Sequence, residues 1–169
     1  EHRAEVGPVH LAAGYLLSEM LGCSVDYREK NPPQVIEAGR EELNISYESA
    51  FQSEAFKSFT KLVEQLKEKY PVLHGDVNFG GILNIAMDLR GQSIFTDMFD
   101  KPDQVTSFFA GIHKAITEFT SFVQKETGTS SISVNRNVRH LPEPVFLHSE
   151  CAYTMVSNDD YEKFLMPFD

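Results

Sequence analysis

Two short clusters hold the side chains of this sequence that could do chemistry. His148-Ser-Glu150-Cys151 brings an imidazole, a carboxyl and a thiol together, and His74-Gly-Asp76-Val-Asn78 brings an imidazole, a carboxyl and an amide. Each follows a short apolar run, Val145-Phe-Leu147 and Val72-Leu73. A carboxyl beside an imidazole is the usual equipment of general acid–base work. Glu150 is therefore expected as a substrate-binding or acid/base carboxylate with His148 beside it, and Asp76, Asn78 and His74 as substrate contacts. The bland alternatives are a solvated loop acid next to a packed Cys151, a His74 that satisfies a backbone carbonyl, and an Asp76 that caps the helix near Gly80. Asp88 and Arg90, at a helix end, are expected to be structural, since Arg favours the negative end of the helix dipole. Zinc takes three or four ligands. His148 and Cys151 supply two at most, so no metal site is expected within the chain. Gly80-Gly81 is no phosphate loop, because no Gly-Lys-Ser/Thr follows.

The elements that must position these groups can be read from apolar spacing. An apolar stretch from about His10 to Leu21 predicts a helix ended by Gly22, and Cys23-Ser-Val-Asp-Tyr-Arg28 alternates like a half-buried strand with Val35-Ile36 as a short return. Residues 39–48 read as an irregular acidic connection. Ser53 caps an amphipathic helix carrying Phe56, Phe59, Leu62, Val63 and Leu66, and Pro71 stops it. Val72-Leu-His74 then predicts a buried strand, followed by a helix over about 82–89 and a shorter one over 93–99. Asp100-Lys-Pro-Asp103 reads as a capping box opening a long helix with Val105, Phe108, Phe109, Ile112, Ile116, Phe119 and Val123 on one face, closed by Gly128. Ile132 and Val134 alternate with serines in a second strand, Val145-Phe-Leu147 makes a third, and Ser157 caps a last helix. Strand, polar loop and helix recur, which predicts parallel pairing, with the 105–123 helix packed outside the strands, and an α/β class.

Composition narrows the partners. Fifteen Lys and Arg stand against 25 Asp and Glu, a net charge of −10, with no basic run. Nucleic acid and an anionic membrane surface are thereby disfavoured, because both require clustered cations. No apolar run approaches a membrane span, and the two cysteines, Cys23 and Cys151, make no disulfide framework. A cytoplasmic setting is expected.

Three segments carry a resemblance. Val77-Asn-Phe-Gly-Gly-Ile-Leu-Asn-Ile-Ala-Met-Asp-Leu-Arg-Gly91, Phe99-Asp-Lys-Pro-Asp-Gln-Val105, and Ser149-Glu-Cys151 with Val156-Ser-Asn-Asp-Asp-Tyr-Glu-Lys-Phe-Leu-Met-Pro-Phe168 resemble the uroporphyrinogen decarboxylase family. Asn158 stands where that family usually has Pro. The resemblance implies a partial (β/α)8 TIM barrel with parallel strands, in which residues 1–70 supply peripheral helices and short strands and residues 71–169 supply barrel βα units. It covers most of 72–169, and reaches the first seventy residues only through Gly7-Pro8 and the segment around Cys23. A whole barrel typically needs about 250 residues, so a missing barrel half or a covering partner chain is expected. Two chemistries follow from the resemblance. Family decarboxylases act on a tetrapyrrole without a cofactor, using a Tyr whose place is taken here by Met87. Methyltransferase relatives move a methyl group between a corrinoid and a thiol, with zinc held by a His-x-Cys and a distant Cys that would lie downstream of this chain. Met87 tilts the expectation to a methyltransferase-like member acting on a corrinoid or small methyl-carrying substrate. A cofactor-free decarboxylase and a non-catalytic interaction module are the alternatives.

Overall fold

A computed structural model describes residues 5–128, 132–133 and 146–169, with the backbone alone for residues 5–9, 76, 132–133 and 146–147. Strand β1 (Glu5–Ala12) runs parallel to β4 (Val72–Val77), with His10 opposite Asp76 and Ala12 opposite Val77. This corrects the helix expected from His10: the chain is extended to Ala12, and only Leu16–Met20 forms a helix, α1. A short apolar run reads alike as buried strand or buried helix, and the pairing with β4 decides. The register slips between Val6 and Val9, on either side of Pro8, which has no N–H to give the ladder. Residues 5–12 thus form a two-stranded parallel pair with β4.

The connection from β1 to β4 holds a small antiparallel pair, β2 (Ser24–Asp26) with β3 (Gln34–Ile36), a turn of helix α2 (Tyr47–Ala50), and helix α3 (Glu54–Lys69). Ser53 caps α3 as expected, its Oγ accepting from the Phe56 N–H at 3.1 Å. The hairpin follows the alternation read around Val25, though it is shorter.

After β4 come α4 (Ile82–Arg90), α5 (Ser93–Asp100) and α6 (Pro102–Thr127). The expected capping box is not what opens α6. Asp100 ends α5, Lys101 is the N-cap without a side-chain hydrogen bond, and Pro102 sits at the first helical position, where its missing N–H costs nothing. Gly128 closes α6 at φ 63°, a left-handed conformation suited to glycine. One face of α6, Val105, Phe108, Phe109, Ile112, Ala115 and Phe119, is wholly buried. It packs on β4 and on α3, where Phe59 meets Phe119 and Phe56 meets Phe122 with ring centres 5.6 and 5.1 Å apart. This is the core, and it lies on the helix side of β4, where Leu73, Val77 and Phe79 are buried while His74 and Asn78 on the alternate positions are half-exposed.

Strands β5 (Ile132–Ser133) and β6 (Phe146–Leu147) pair in parallel. Val134 and Val145, expected as parts of these strands, lie outside the described residues. Beyond β6 a parallel bridge joins Gly80 to Ser149, so the carboxyl ends of β4 and β6 lie side by side. A 3₁₀ turn (Cys151–Met155) leads into α7 (Asn158–Phe164), capped by Ser157 as expected. The described residues therefore form a mixed helix-and-strand chain, and the parallel pair β1–β4 is linked through helices.

Candidate functional site at the ends of β4 and β6

The bridge between Gly80 and Ser149 is made by two hydrogen bonds, Gly81 N–H to Ser149 O at 2.8 Å and Ser149 N–H to Phe79 O at 3.1 Å. It carries His148 and Glu150 onto the first turn of α4. There the Glu150 carboxyl accepts from the backbone N–H of Leu83 at 3.0 Å and of Asn84 at 3.1 Å. These donors have no partner inside the helix, and a carboxylate suits the positive end of the dipole. Asn84 completes the clasp: its amide donates to Ser149 O, and its Oδ1 accepts from the Ala152 N–H. Gly81 is required by this geometry, because a Cβ there would lie 2.1 Å from Oε2 of Glu150 and 2.4 Å from Nδ1 of His148.

Two effects act on Glu150 in opposite senses. Burial favours the neutral acid and the two N–H donors favour the anion; burial is the larger, and with the nearby Asp169 it pushes the carboxyl up to about 7. No Lys or Arg faces Glu150 among the residues lining its cleft. Near neutral pH the group is thus poised between acid and base.

His148 stacks on Phe79, with ring planes 12° apart, and its Nε2 lies 3.3 Å from Oδ1 of Asp169. The other oxygen of Asp169 accepts from the Tyr161 hydroxyl, an interaction that raises the Tyr161 pKa. Asp169 thereby orients the imidazole through Nε2. Its Nδ1 is buried and has no hydrogen-bond partner among the described residues. The His148–Asp169 pair forms a wall shared by two cavities. One, of about 310 Å³, is lined by Phe79, Ile82, His113, Ile116 and Phe168; the other, of about 420 Å³, by Glu150, Tyr153, Val156, Asn158 and Tyr161.

The other expected residues sit apart from this pair. Asn78 lies at the end of β4 but on its β1 side, where its N–H donates to Ala12 O and its amide nitrogen comes within 3.6 Å of where a Cβ on Gly14 would be. His74 is half-buried farther back in β4, and Asp76 is described by its backbone, opposite His10. The helix near Gly80 is capped by Glu150. Cys151 is exposed, with Sγ 3.3 Å from Oγ of Ser149, whereas the packed cysteine is Cys23. Asn84, Tyr161 and Asp169 were not singled out from the sequence. Asn84 reads there as one more position of an amphipathic helix, and Tyr161 and Asp169 lie in or beside the last helix with no spacing that ties them to His148.

Among the described residues, no three His, Cys, Asp or Glu side chains gather as a metal-binding group. His148 is engaged with Asp169 through Nε2, and Cys151 turns to Ser149, so the groups present here do not fit a zinc ion. No helix is long and apolar enough to cross a membrane among the described residues.

No protein-family profile matches the chain, and no curated protein matches it. Among solved structures, a methyltransferase from Methanosarcina mazei is similar, with a TM-score of 0.66 and 16% identity over 92% of this chain. The chain spans 44% of that protein's length. At this identity the likeness is one of fold.

Proposed function

We propose that this chain is part of a (β/α)8 barrel of a methyltransferase-like enzyme of the uroporphyrinogen decarboxylase superfamily, acting on a corrinoid or another small methyl carrier. The observation that carries the reading is the junction of β4 and β6. Parallel strands end side by side there, and their carboxyl ends present Glu150, His148 and Asn78 at the end where barrel enzymes place their reacting groups. The fold likeness to the Methanosarcina mazei methyltransferase supports it. So does Met87 in place of the decarboxylase tyrosine, half-buried against the core. In this reading His148 and Glu150 bind the substrate and handle its proton, Asn78, His74 and Asp76 contact it farther round the mouth, and the remaining strands come from a further barrel half or a covering chain. In this reading any zinc would be held outside residues 1–169.

The reaction balances without an added redox partner. The bond between cobalt and the methyl carbon breaks with its electron pair left on cobalt, a sulfur–carbon bond forms from the thiol sulfur, and the thiol proton passes to a base. The test is to mix the protein with methylcobalamin and a small thiol and follow the corrinoid spectrum. Protein-dependent loss of the methylated form is expected, and its absence moves the reading to cofactor-free decarboxylation or to an interaction module. One observation favours the module: the Glu150 carboxyl already serves as the cap of α4.

A further inference from the structure

One polar atom beside the clasp lacks a partner. Nδ1 of His148 is buried, and no group among the described residues bonds to it. Buried polar atoms in that state are few in folded proteins, and each needs an explanation. With the ring proton on Nε2, facing Oδ1 of Asp169 at 3.3 Å, what Nδ1 lacks is a donor. Glu150 stands beside it. Oε2 of Glu150 and Nδ1 lie 2.1 and 2.4 Å from a single point, the place a Cβ would take on Gly81, so they are no farther apart than those lengths laid end to end. Even at that upper bound, a shift of less than about 2 Å brings them to hydrogen-bond length. A water at the same point would be closer to both atoms than a hydrogen bond allows.

The carboxyl has a proton to give. Burial first, and then Asp169, raise it to about 7, so near neutral pH a large share is the neutral acid. Its hydroxyl can donate to Nδ1 and still accept the Leu83 N–H, while the other oxygen keeps the Asn84 N–H. Phe79 and Gly81, which meet the pair from β4 and from the start of α4, carry no charge. The other titratable groups lining the two cavities beside it are Asp169, Tyr161, Tyr153 and His113, and neither cavity has a Lys or Arg to draw the proton off Glu150.

We propose that Glu150 and His148 share one proton across the space that Gly81 leaves open, the Glu150 acid donating to Nδ1, and that the pair takes up and releases that proton as a unit. Uptake forms one O–H bond from a carboxylate lone pair and breaks one bond to hydrogen in the donor molecule; Nδ1 keeps its lone pair and accepts. This rests on the preceding reading only in making a substrate thiol the donor. Titration without substrate tests the sharing alone, so the two can fail separately.

The experiment follows the Glu150 carboxyl by carbon-13 NMR from pH 4 to 9 in the whole protein, with Glu150→Gln to assign the signal. A midpoint near 7 is expected. His148→Gln leaves an amide at the ε position for Asp169 and no acceptor at the place of Nδ1, and should lower the Glu150 midpoint by about one unit, the tenfold change that one hydrogen bond is worth. His148→Asn puts a carbonyl oxygen at the δ position and should restore most of the fall. A midpoint that is unchanged or raised in His148→Gln means that water or nothing meets Nδ1, and overturns the proposal. So does an equal fall in both variants, which would trace to the lost ring, or a wild-type midpoint at the ordinary 4.5. Should the variants lose their dispersed spectra, the wild-type ring decides: the nitrogen-15 signal of His148 Nδ1 must shift with the Glu150 midpoint, and a signal indifferent to it overturns the proposal equally.

Discussion

The two ends of helix α4 hold two carboxyls in opposite electrical circumstances. At its carboxyl end Arg90 donates from Nε to Asp97 at 2.7 Å and from Nη1 to the Arg40 carbonyl, while Lys101 approaches Asp97 at 3.2 Å. Asp97 is 4% exposed, and its pKa is held down, first by the Arg90 hydrogen bond. The helix's terminal carbonyls are met by the N–H groups of Ala38 and Arg40, which donate to Asp88 and Leu89. At the amino end Glu150 is also partly buried, but its partners are neutral N–H groups, and its pKa is raised. A charge matched by opposite charge is part of the scaffold. One matched only by dipoles keeps a proton to exchange, and this is where perturbed groups point to function.

The largest expected effect lies at the matched end. Asp97→Ala leaves Arg90 without its carboxylate in a place where its side chain is 17% exposed, and breaking such a pair from one side costs about 3–5 kcal/mol. Urea unfolding should show it as a large fall in midpoint. A loss under 1 kcal/mol would mean that Arg90 finds water and that the contrast between the ends is smaller than drawn.

Next in size is Gly81→Ala. The added methyl must displace Glu150 or His148, and overpacking of this kind costs about 1–3 kcal/mol. Removing one of the two obstacles should remove part of the cost: in a Glu150→Ala background, where only His148 Nδ1 remains close, the same substitution is expected to cost less, a non-additivity that a double-mutant cycle measures. Full additivity would separate Gly81 from Glu150.

How much of this contrast was legible beforehand differs between the two ends. Chain reading found α3, α4, α5, α6 and α7 because their apolar positions recur at helical spacing and Ser53, Ser157 and Gly128 mark their limits. It began the first helix at His10, inside the end of β1, because nothing local distinguishes a buried parallel strand from a buried helix until its partner, 60-odd residues on, is known. Glu150 and His148 are expected as site residues from their place after an apolar run, and the structure sets both on one cleft. Their link to Gly81 and Asn84 is a contact across some 65 residues, and nothing in the sequence marks Asp97 as the partner of Arg90. Pairing of charges through space leaves no periodicity to read.

The pH dependence of stability should separate the ends by sign. Glu150 has a folded pKa of about 7 against an ordinary 4.5, so the folded state binds the extra proton between these values. Its contribution is full below about 4.5 and is lost as pH rises through about 7, a change on the order of 1–2 kcal/mol once residual solvent contact is allowed for. Asp97, with its pKa depressed below the ordinary 3.8, works the other way: its contribution holds above that value and disappears as pH falls through the folded pKa. In Glu150→Gln the decline between pH 4.5 and 7 should flatten, while the acid limb remains. An unchanged decline would assign that slope to other groups.

The smallest effect leaves stability alone and reads the two ends through their cysteines. Cys23 donates from Sγ to the carbonyl of Asp88 at 3.4 Å, at the matched end, and is 5% exposed. Burial first, then the Asp88 carboxylate, pushes its thiol up to about 12, so at pH 8 about one molecule in ten thousand carries the thiolate that reacts. Cys151 is exposed one residue beyond Glu150, at the open end. A thiol reagent added to the folded protein at pH 8 should therefore modify Cys151 promptly and Cys23 only as fast as the chain opens, with the second thiol appearing at once in denaturant. Peptide mapping after a short pulse identifies which was labelled. Labelling of both at similar rates would mean that the carboxyl end of α4 opens locally, and that its tight pairing of Arg90 with Asp97 does not hold the neighbouring packing shut.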